Sequence, residues 1–233
     1  ILTLTGAASK ANYQTVINQI VYNNTSSNPN TTDRIISFIV RDNGGLESDI
    51  SNTTLSITRV NDKPIIDLDN TTAGNNYSTS FTEGNTNKVI TNNTIITDVD
   101  HGNMNRAIIT ITNNLDGTNE TISLTPTQIT TASGLGITVT ASANNTILTL
   151  TGAASKANYQ TVINQIVYNN TSQNPSATNR SITVLINDGT ANSNTATTTI
   201  SINPVNDISI VALDNTSSSV SYTHLTLPTT PYV

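Results

Sequence analysis

The string ILTLTGAASKANYQTVINQIVYNNTS occurs twice, at residues 1–26 and 147–172, without a substitution. Drift does not leave 26 matched residues, so the chain is a tandem array and must adopt a fold that can follow itself along one polypeptide. The matching continues downstream. Asn28-Pro29 matches Asn174-Pro175, Arg34 matches Arg180, Asp42 matches Asp188, and Val60-Asn61-Asp62 matches Val205-Asn206-Asp207. Between Asp42 and Val60 the offset drops from 146 to 145, a one-residue deletion in the intervening loop. Leu68-Asp69-Asn70 then matches Leu213-Asp214-Asn215. On this phasing residues 1–62 are the C-terminal part of a truncated repeat, 63–207 a complete repeat, and 208–219 the start of a third. The whole reads as a window on a longer protein.

A repeat of about 145 residues is long enough to bury its own core, removing roughly 68–70% of the unfolded surface. Each repeat is therefore expected to be an autonomous domain, unlike the short units of a solenoid. Thr, Asn, Ser and Ile dominate, while there is no Cys or Trp and only 10% of residues are charged. Thr and Ile favour pleated strands, and Asn and Ser favour turns, so the composition is all-β. The net charge of −6 argues against nucleic acid or an anionic membrane as partner, because phosphate binding needs clustered Lys and Arg. Residues 220–233 depart from the repeat pattern and resemble a translated sequencing adapter, so they are read as a non-native tail.

Periodicity places the elements. Residues 1–5 alternate as a short strand closed by Gly6. Tyr13, Val16, Ile17 and Ile20 then fall at i, i+3, i+4 and i+7, one helical face, with Ser9 as N-cap. That face is expected to pack on the core, and a strand follows at 20–22. Residues 35–41 and 53–59 read as strands around a turn at Asp42-Asn43-Gly44-Gly45. In the complete repeat, strands are expected at 65–68, 77–81, 89–90, 95–97, 107–112, 120–124, 137–141, 147–151, 181–186 and 197–202. Many short strands separated by turn residues point to a β-sandwich. Each repeat is expected to carry one short helix. Asn-x-Thr/Ser triplets abound, but an Asn- and Thr-rich chain makes them by chance.

Little in the chain suits catalysis. There is no thiol, and outside the tail the one histidine is His101. No nucleophile elbow or metal-protease motif occurs. Glu83 with Asp98 or Asp100 stays open as a glycosidase-like carboxylate pair, but the expectation is a protein that is not an enzyme. The acidic residues sit instead in short turn motifs: Asp98-x-Asp100, Asp42-Asn43-Gly44, Asp188-Gly189, Asn61-Asp62 and Asn206-Asp207. Calcium takes roughly six to eight oxygen ligands, and an Asp-x-Asp turn supplies two carboxylates from one segment. Asp and Asn are also ordinary turn formers, so that reading stands beside the metal one.

The segments SKANYQTVINQIVYNNTS, Asn-Pro, Ile-x-x-x-x-x-Asp-Gly and Val-Asn-Asp resemble the cadherin-like tandem repeats of large bacterial surface adhesins, over residues 1–219. The resemblance implies an all-β, Greek-key β-sandwich of cadherin or immunoglobulin type. It also implies secretion to the cell surface and stacking against adjacent repeats into an extracellular rod for cell adhesion. The surface, host or glycan ligand would then lie elsewhere in the full protein. Calcium at the domain junctions is part of the same implication. Residue by residue, Asn61 and Asp62 resemble the linker motif that reaches the metal. Asp98, Asp100 and Asp188 resemble the partners in the following domain. Glu83, with Asn206 and Asp207 as second linker, would serve the next junction. The second linker reads Asn-Asp-Ile-Ser and lacks the proline of the first. The alternative role is a carbohydrate- or protein-binding module of a secreted protein; aromatics at 4% favour the spacer, since sugar platforms use exposed aromatic faces.

Overall fold

A computed structural model describes residues 1–208 together with strands at 211–212 and 221–222. It comprises two compact units, one of Ile1–Lys63 with Asp98–His101, the other of Pro64–Thr97 with Gly102–Val233.

The first unit holds helix α1 (Lys10–Ile17) and an antiparallel pair of strands, β1 (Arg34–Phe38) and β2 (Ser51–Leu55). Ser9 caps α1 by accepting the Asn12 N–H at 3.2 Å, and the Tyr13 hydroxyl donates to Gly6 O at 2.8 Å. None of residues 1–63 is buried. Val16 and Ile20, expected on a core-facing helical stripe, are 44% and 36% exposed.

The second unit contains β3 (Ile65–Asp67), β4 (Tyr77–Thr82), β5 (Lys88–Val89), β6 (Ile95–Thr97), β7 (Asn103–Ile111), β8 (Glu120–Ser123), α2 (Pro126–Gly134), β9 (Thr138–Ala141), β10 (Ile147–Ser155), α3 (Lys156–Ile163), β11 (Val167–Asn170), β12 (Arg180–Asn187) and β13 (Ala196–Asn203). A six-stranded sheet runs β4-β13-β12-β7-β10-β9, and a three-stranded sheet runs β5-β11-β8. The short strands β3 and β6 pair separately. The β12 sequence RSITVLIN alternates buried and half-buried side chains throughout, the period-2 signature of a strand with one face on a core. Both sheets feed one cluster that includes Ile109, Ile122, Leu150, Tyr168, Ile182 and Ile200, all fully buried. Phe81 of β4 meets Tyr168 of β11 edge to face, with ring centroids 5.3 Å apart. Each buried Val, Ile, Leu or Phe contributes about 1.5–3 kcal/mol, so this layer between the sheets dominates stability. The fold is an all-β sandwich with a few short helices.

α3 has the sequence of α1, the same cap (Asn158 N–H to Ser155 Oγ, 3.1 Å) and the same tyrosine bond (Tyr159 hydroxyl to Gly152 O, 2.8 Å). Here the expected face is covered: Tyr159, Val162, Ile163 and Ile166 are 0–2% exposed. Local sequence fixes the helix, and tertiary partners decide whether its face is buried. Burial pushes the Tyr159 phenol up to about 12 from its ordinary 10.0. Because the folded value is the raised one, this group's contribution is full below pH 10 and is lost as the pH rises through about 12. The Tyr159→Phe protein is expected to lack a phenolate absorbance step near pH 12 that the parent shows.

Three expectations need correction. Residues 1–5 and 20–22 are not strands, although their duplicates form β10 and β11. A strand exists through its pairing: β10 lies between β7 and β9, and β11 between β5 and β8. The described residues of the first unit supply no such neighbours. Nor is there one helix per repeat, because the second unit carries α2 as well as α3. Thr125, Pro126 and Gln128 start α2 as a capping box with proline in the first turn, and Ala132 anchors it in the core. Strands β14 (Val211–Ala212) and β15 (Ser221–Tyr222) pair antiparallel. Apart from these and residue 208, the expected third repeat at 208–219 and tail at 220–233 lie outside the described residues.

Candidate functional site

Four of the eight expected metal ligands fall in the first unit: Asn61, Asp62, Asp98 and Asp100. Asp98 Oδ1 accepts the N–H groups of Asp100 (3.0 Å) and His101 (2.8 Å), folding the Asp-x-Asp segment into a tight turn. Asp100 Oδ2 accepts the Asp62 N–H at 3.3 Å, joining that turn to the Val60-Asn61-Asp62 stretch 38 residues earlier. The Asp100 side chain is 1% exposed, and its Oδ1 faces His101 Nδ1 at 3.3 Å. Burial works to raise the Asp100 carboxyl. The Asp98 carboxyl, the Asp62 N–H and the His101 imidazole outweigh it and hold Asp100 below the ordinary carboxylate range. It is therefore ionised at neutral pH. The Asn61 amide donates to Asp62 O at 2.9 Å, and both residues are half-buried. Asn61, Asp62, Asp98 and Asp100 carry side-chain oxygens of the kind calcium takes, and the His101 imidazole nitrogen stands beside Asp100.

Asn28 was not among the expected site residues, yet its side-chain amide donates to Val99 O at 2.9 Å and so holds the same turn. The recurrence of Asn28-Pro29 as Asn174-Pro175 was the signal available for it.

The other four expected ligands lie in the second unit. Glu83, 8% exposed, accepts the Val205 N–H on Oε2 at 2.8 Å, and its own N–H donates to Asn203 O at 3.0 Å. Its Oε1 is buried and has no hydrogen-bond partner among the described residues. Leaving a buried carboxylate oxygen unpaired is unfavourable, and a cation there would offset it. Asn206 and Asp207 follow directly and are exposed. The Asn206 amide donates to Asp207 O at 3.3 Å, the same local turn that Asn61 makes with Asp62. Asp188 Oδ1 accepts the N–H groups of Thr190 (2.6 Å) and Ala191 (2.7 Å), closing the turn after β12.

The densest polar cluster was not anticipated. Arg180, with a fully buried side chain, donates from Nε to Glu120 Oε1 and from Nη2 to Asp116 Oδ2 at 2.7 Å. The Tyr168 hydroxyl donates to Glu120 Oε1 at 3.0 Å, and the Asn170 amide to Asp116 Oδ2 at 2.7 Å. Burial pushes against ionisation of Asp116, but the Ser176 N–H, the Asn170 amide and the Arg180 guanidinium hold its carboxyl below the usual range. Burial and the Glu120 carboxylate push the Tyr168 phenol well above its ordinary value. Each carboxylate oxygen here already has a donor, and the cluster ties β8, β11 and β12 together.

No protein-family model matches the chain, and no curated protein matches it. Among solved structures it is similar to ACE, an MSCRAMM of Enterococcus faecalis described as binding its ligands by the collagen hug model. The identity is 10%, over 76% of this chain and 62% of that one, with a TM-score of 0.27. The chain thus spans less than two thirds of that structure's length, and a likeness at this level says nothing of what the chain binds.

Proposed function

We propose that the chain is a spacer segment of a secreted bacterial surface adhesin, built from β-sandwich repeats that hold a binding module away from the cell and are stiffened by calcium. The duplication carries this reading: 26 residues repeat without change, and α1 and α3 reproduce the same helix, cap and tyrosine bond. A function that depends on length and mechanical resistance is served by repeating one domain. Among the described residues no helix is long and apolar enough to cross a membrane.

In the first unit, Asn61, Asp62, Asp98 and Asp100 would hold the ion, with Asn28 fixing the turn that presents two of them. In the second unit, Glu83 with Asn206 and Asp207 would hold another. Calcium bound there would supply positive charge to offset these carboxylates and would hold the turns that bear them. Even extracellular-type affinities, on the order of 10⁻⁴–10⁻³ M, suffice in a calcium-rich medium.

Mechanical resistance is the test of the spacer role. Pulled between its ends in single-molecule force spectroscopy, the chain is expected to show one cooperative rupture that releases a contour of roughly 460–500 Å, that of residues 64–203 at about 3.3–3.6 Å each. Extension without a force peak would remove the spacer reading. Saturable binding of the folded chain on a glycan array would replace it with a carbohydrate-binding module.

A further inference from the structure

The chain holds three dipeptides in which Asn or Asp precedes glycine: Asn43-Gly44, Asp116-Gly117 and Asp188-Gly189. Such a pair can close on itself, because a glycine without Cβ lets its backbone nitrogen approach the side-chain carbon of the residue before it. Closure needs that side chain and that nitrogen to be free. At Asp116 they are not: Oδ1 accepts the Ser176 N–H at 3.1 Å, and Oδ2 accepts the Asn170 amide and the Arg180 guanidinium, both at 2.7 Å. Asp188 is 9% exposed, its Oδ1 holds the Thr190 and Ala191 N–H groups, and the Gly189 N–H donates to Asn187 Oδ1 at 2.7 Å.

Asn43 differs on both counts. Neither its side-chain amide nor the Gly44 N–H makes a hydrogen bond among the described residues, and both residues are exposed. Their turn is closed by the Gly45 N–H to Asp42 O at 3.1 Å and the Asp42 N–H to Leu46 O at 3.0 Å, with Gly45 at φ +87°. Backbone bonds this exposed open at little free-energy cost, so the turn samples the geometry that ring closure requires. The exposure belongs to the position. In the complete repeat, with its neighbouring strands in place, the tip of the corresponding turn, Gly189 and Thr190, is exposed as well. What differs there is the sequence: Asp188 is followed directly by glycine, where Asp42 is followed by asparagine.

We propose that Asn43 is a modification site, converted by spontaneous deamidation to aspartate and isoaspartate. The Gly44 nitrogen attacks the Asn43 Cγ and gives up its proton, the bond from Cγ to the side-chain nitrogen breaks, and ammonia leaves with that proton. The product is a cyclic imide. Water then opens the ring at either carbonyl. Cleavage between Cγ and the Gly44 nitrogen leaves aspartate, whereas cleavage between the Asn43 backbone carbonyl carbon and that nitrogen leaves isoaspartate, with the chain running through the former side chain. Both products set a carboxylate next to Asp42, a change of one negative charge. Isoaspartate also lengthens the backbone by a methylene inside the turn, which loosens the bridge between Arg41 and Glu47. The two repeats therefore age differently, and this holds whether or not they are spacers or bind calcium.

The test incubates the full chain at physiological temperature and mildly alkaline pH and follows the three dipeptides by mass spectrometry after digestion. Isoaspartate is read by enzymatic methylation. A synthetic peptide of residues 38–48 gives the rate of the unfolded sequence. The expected result is a gain of about 1 Da at Asn43, at a rate within about tenfold of the peptide's. Isoaspartate should appear at residue 43 and not at Asp116 or Asp188. The Gly44→Ala chain should convert about tenfold more slowly or worse, because a Cβ crowds the attacking nitrogen and would lie 3.3 Å from Asp42 Oδ1. The proposal is overturned if Asn43 stays intact while the peptide converts, if Gly44→Ala converts at the parent rate, or if isoaspartate forms as fast at Asp116 or Asp188.

Discussion

Replacing Arg180 by methionine is expected to destabilise the sandwich of the second unit by about 3–5 kcal/mol, the cost of stranding a buried charge by removing its partner. The Glu120 side chain is 0% exposed, and Arg180 is its counter-ion, while the Tyr168 hydroxyl, the Asn170 amide and the Leu115 N–H also donate to it. Without the guanidinium, Glu120 must either stay charged in the core or take up a proton. The same substitution at Arg34 should cost about 0.5 kcal/mol or less, because that side chain is half-buried and bonds only carbonyl oxygens. Thermal melts of the two variants settle the comparison; for a domain of this size the Arg180 variant should melt roughly 10–20 °C lower. Adding Glu120→Gln to Arg180→Met should restore part of the loss, since the stranded charge is then gone. Equal melting of the Arg34 and Arg180 variants would contradict the role given to this cluster.

Gly152→Ala is the second substitution with a large expected effect, about 3–5 kcal/mol. Gly152 has φ +136° and sits where the β10–β7 register shifts between Thr151 and Ala154. A Cβ there would lie 2.1 Å from Gly136 O, a backbone atom that cannot swing aside. At this bulge β10 approaches the turn between α2 and β9 too closely for any side chain. Gly6, its duplicate, has φ +138°, but a Cβ would meet nothing within 4 Å. Gly6→Ala should therefore show only backbone strain, about 1–2 kcal/mol, in a unit with no buried core. Chemical denaturation of the two alanine variants is the measurement. A small effect at both positions would mean that β10 lies farther from the α2–β9 turn than described.

Those paired substitutions show what a sequence can and cannot disclose. The helical face at Tyr159, Val162, Ile163 and Ile166 was legible from its spacing, and β7, β12 and β13 from alternation, because those patterns are local. Identical residues at Tyr13, Val16, Ile17 and Ile20 carry the same pattern without the burial, which depends on strands far away in the chain. For the same reason residues 1–5 read as a strand and are not one. The start of α2 is legible in Thr-Pro-Thr-Gln, but the polar run that follows shows little periodicity to mark a helix. The Asp116–Glu120–Arg180 cluster was out of reach: its carboxylates lie 64 and 60 residues from the arginine, and nothing local distinguishes a buried Asp from a turn former. Of the expected metal ligands, Asp62 and Asp100 are joined by a hydrogen bond across 38 residues, a proximity that came from resemblance and not from spacing. Glu83 beside Val205 is a similar case across 122 residues.

Calorimetric titration of calcium into the full chain, alongside an Asp98→Asn/Asp100→Asn variant, tests the proposed function most directly. The account predicts stoichiometric binding with a Kd on the order of 10⁻⁴–10⁻³ M or tighter. It also predicts a calcium-dependent rise in melting temperature that the variant loses. No heat and no shift in melting at millimolar calcium would contradict it, leaving Asp98 and Asp100 as residues that only shape a turn.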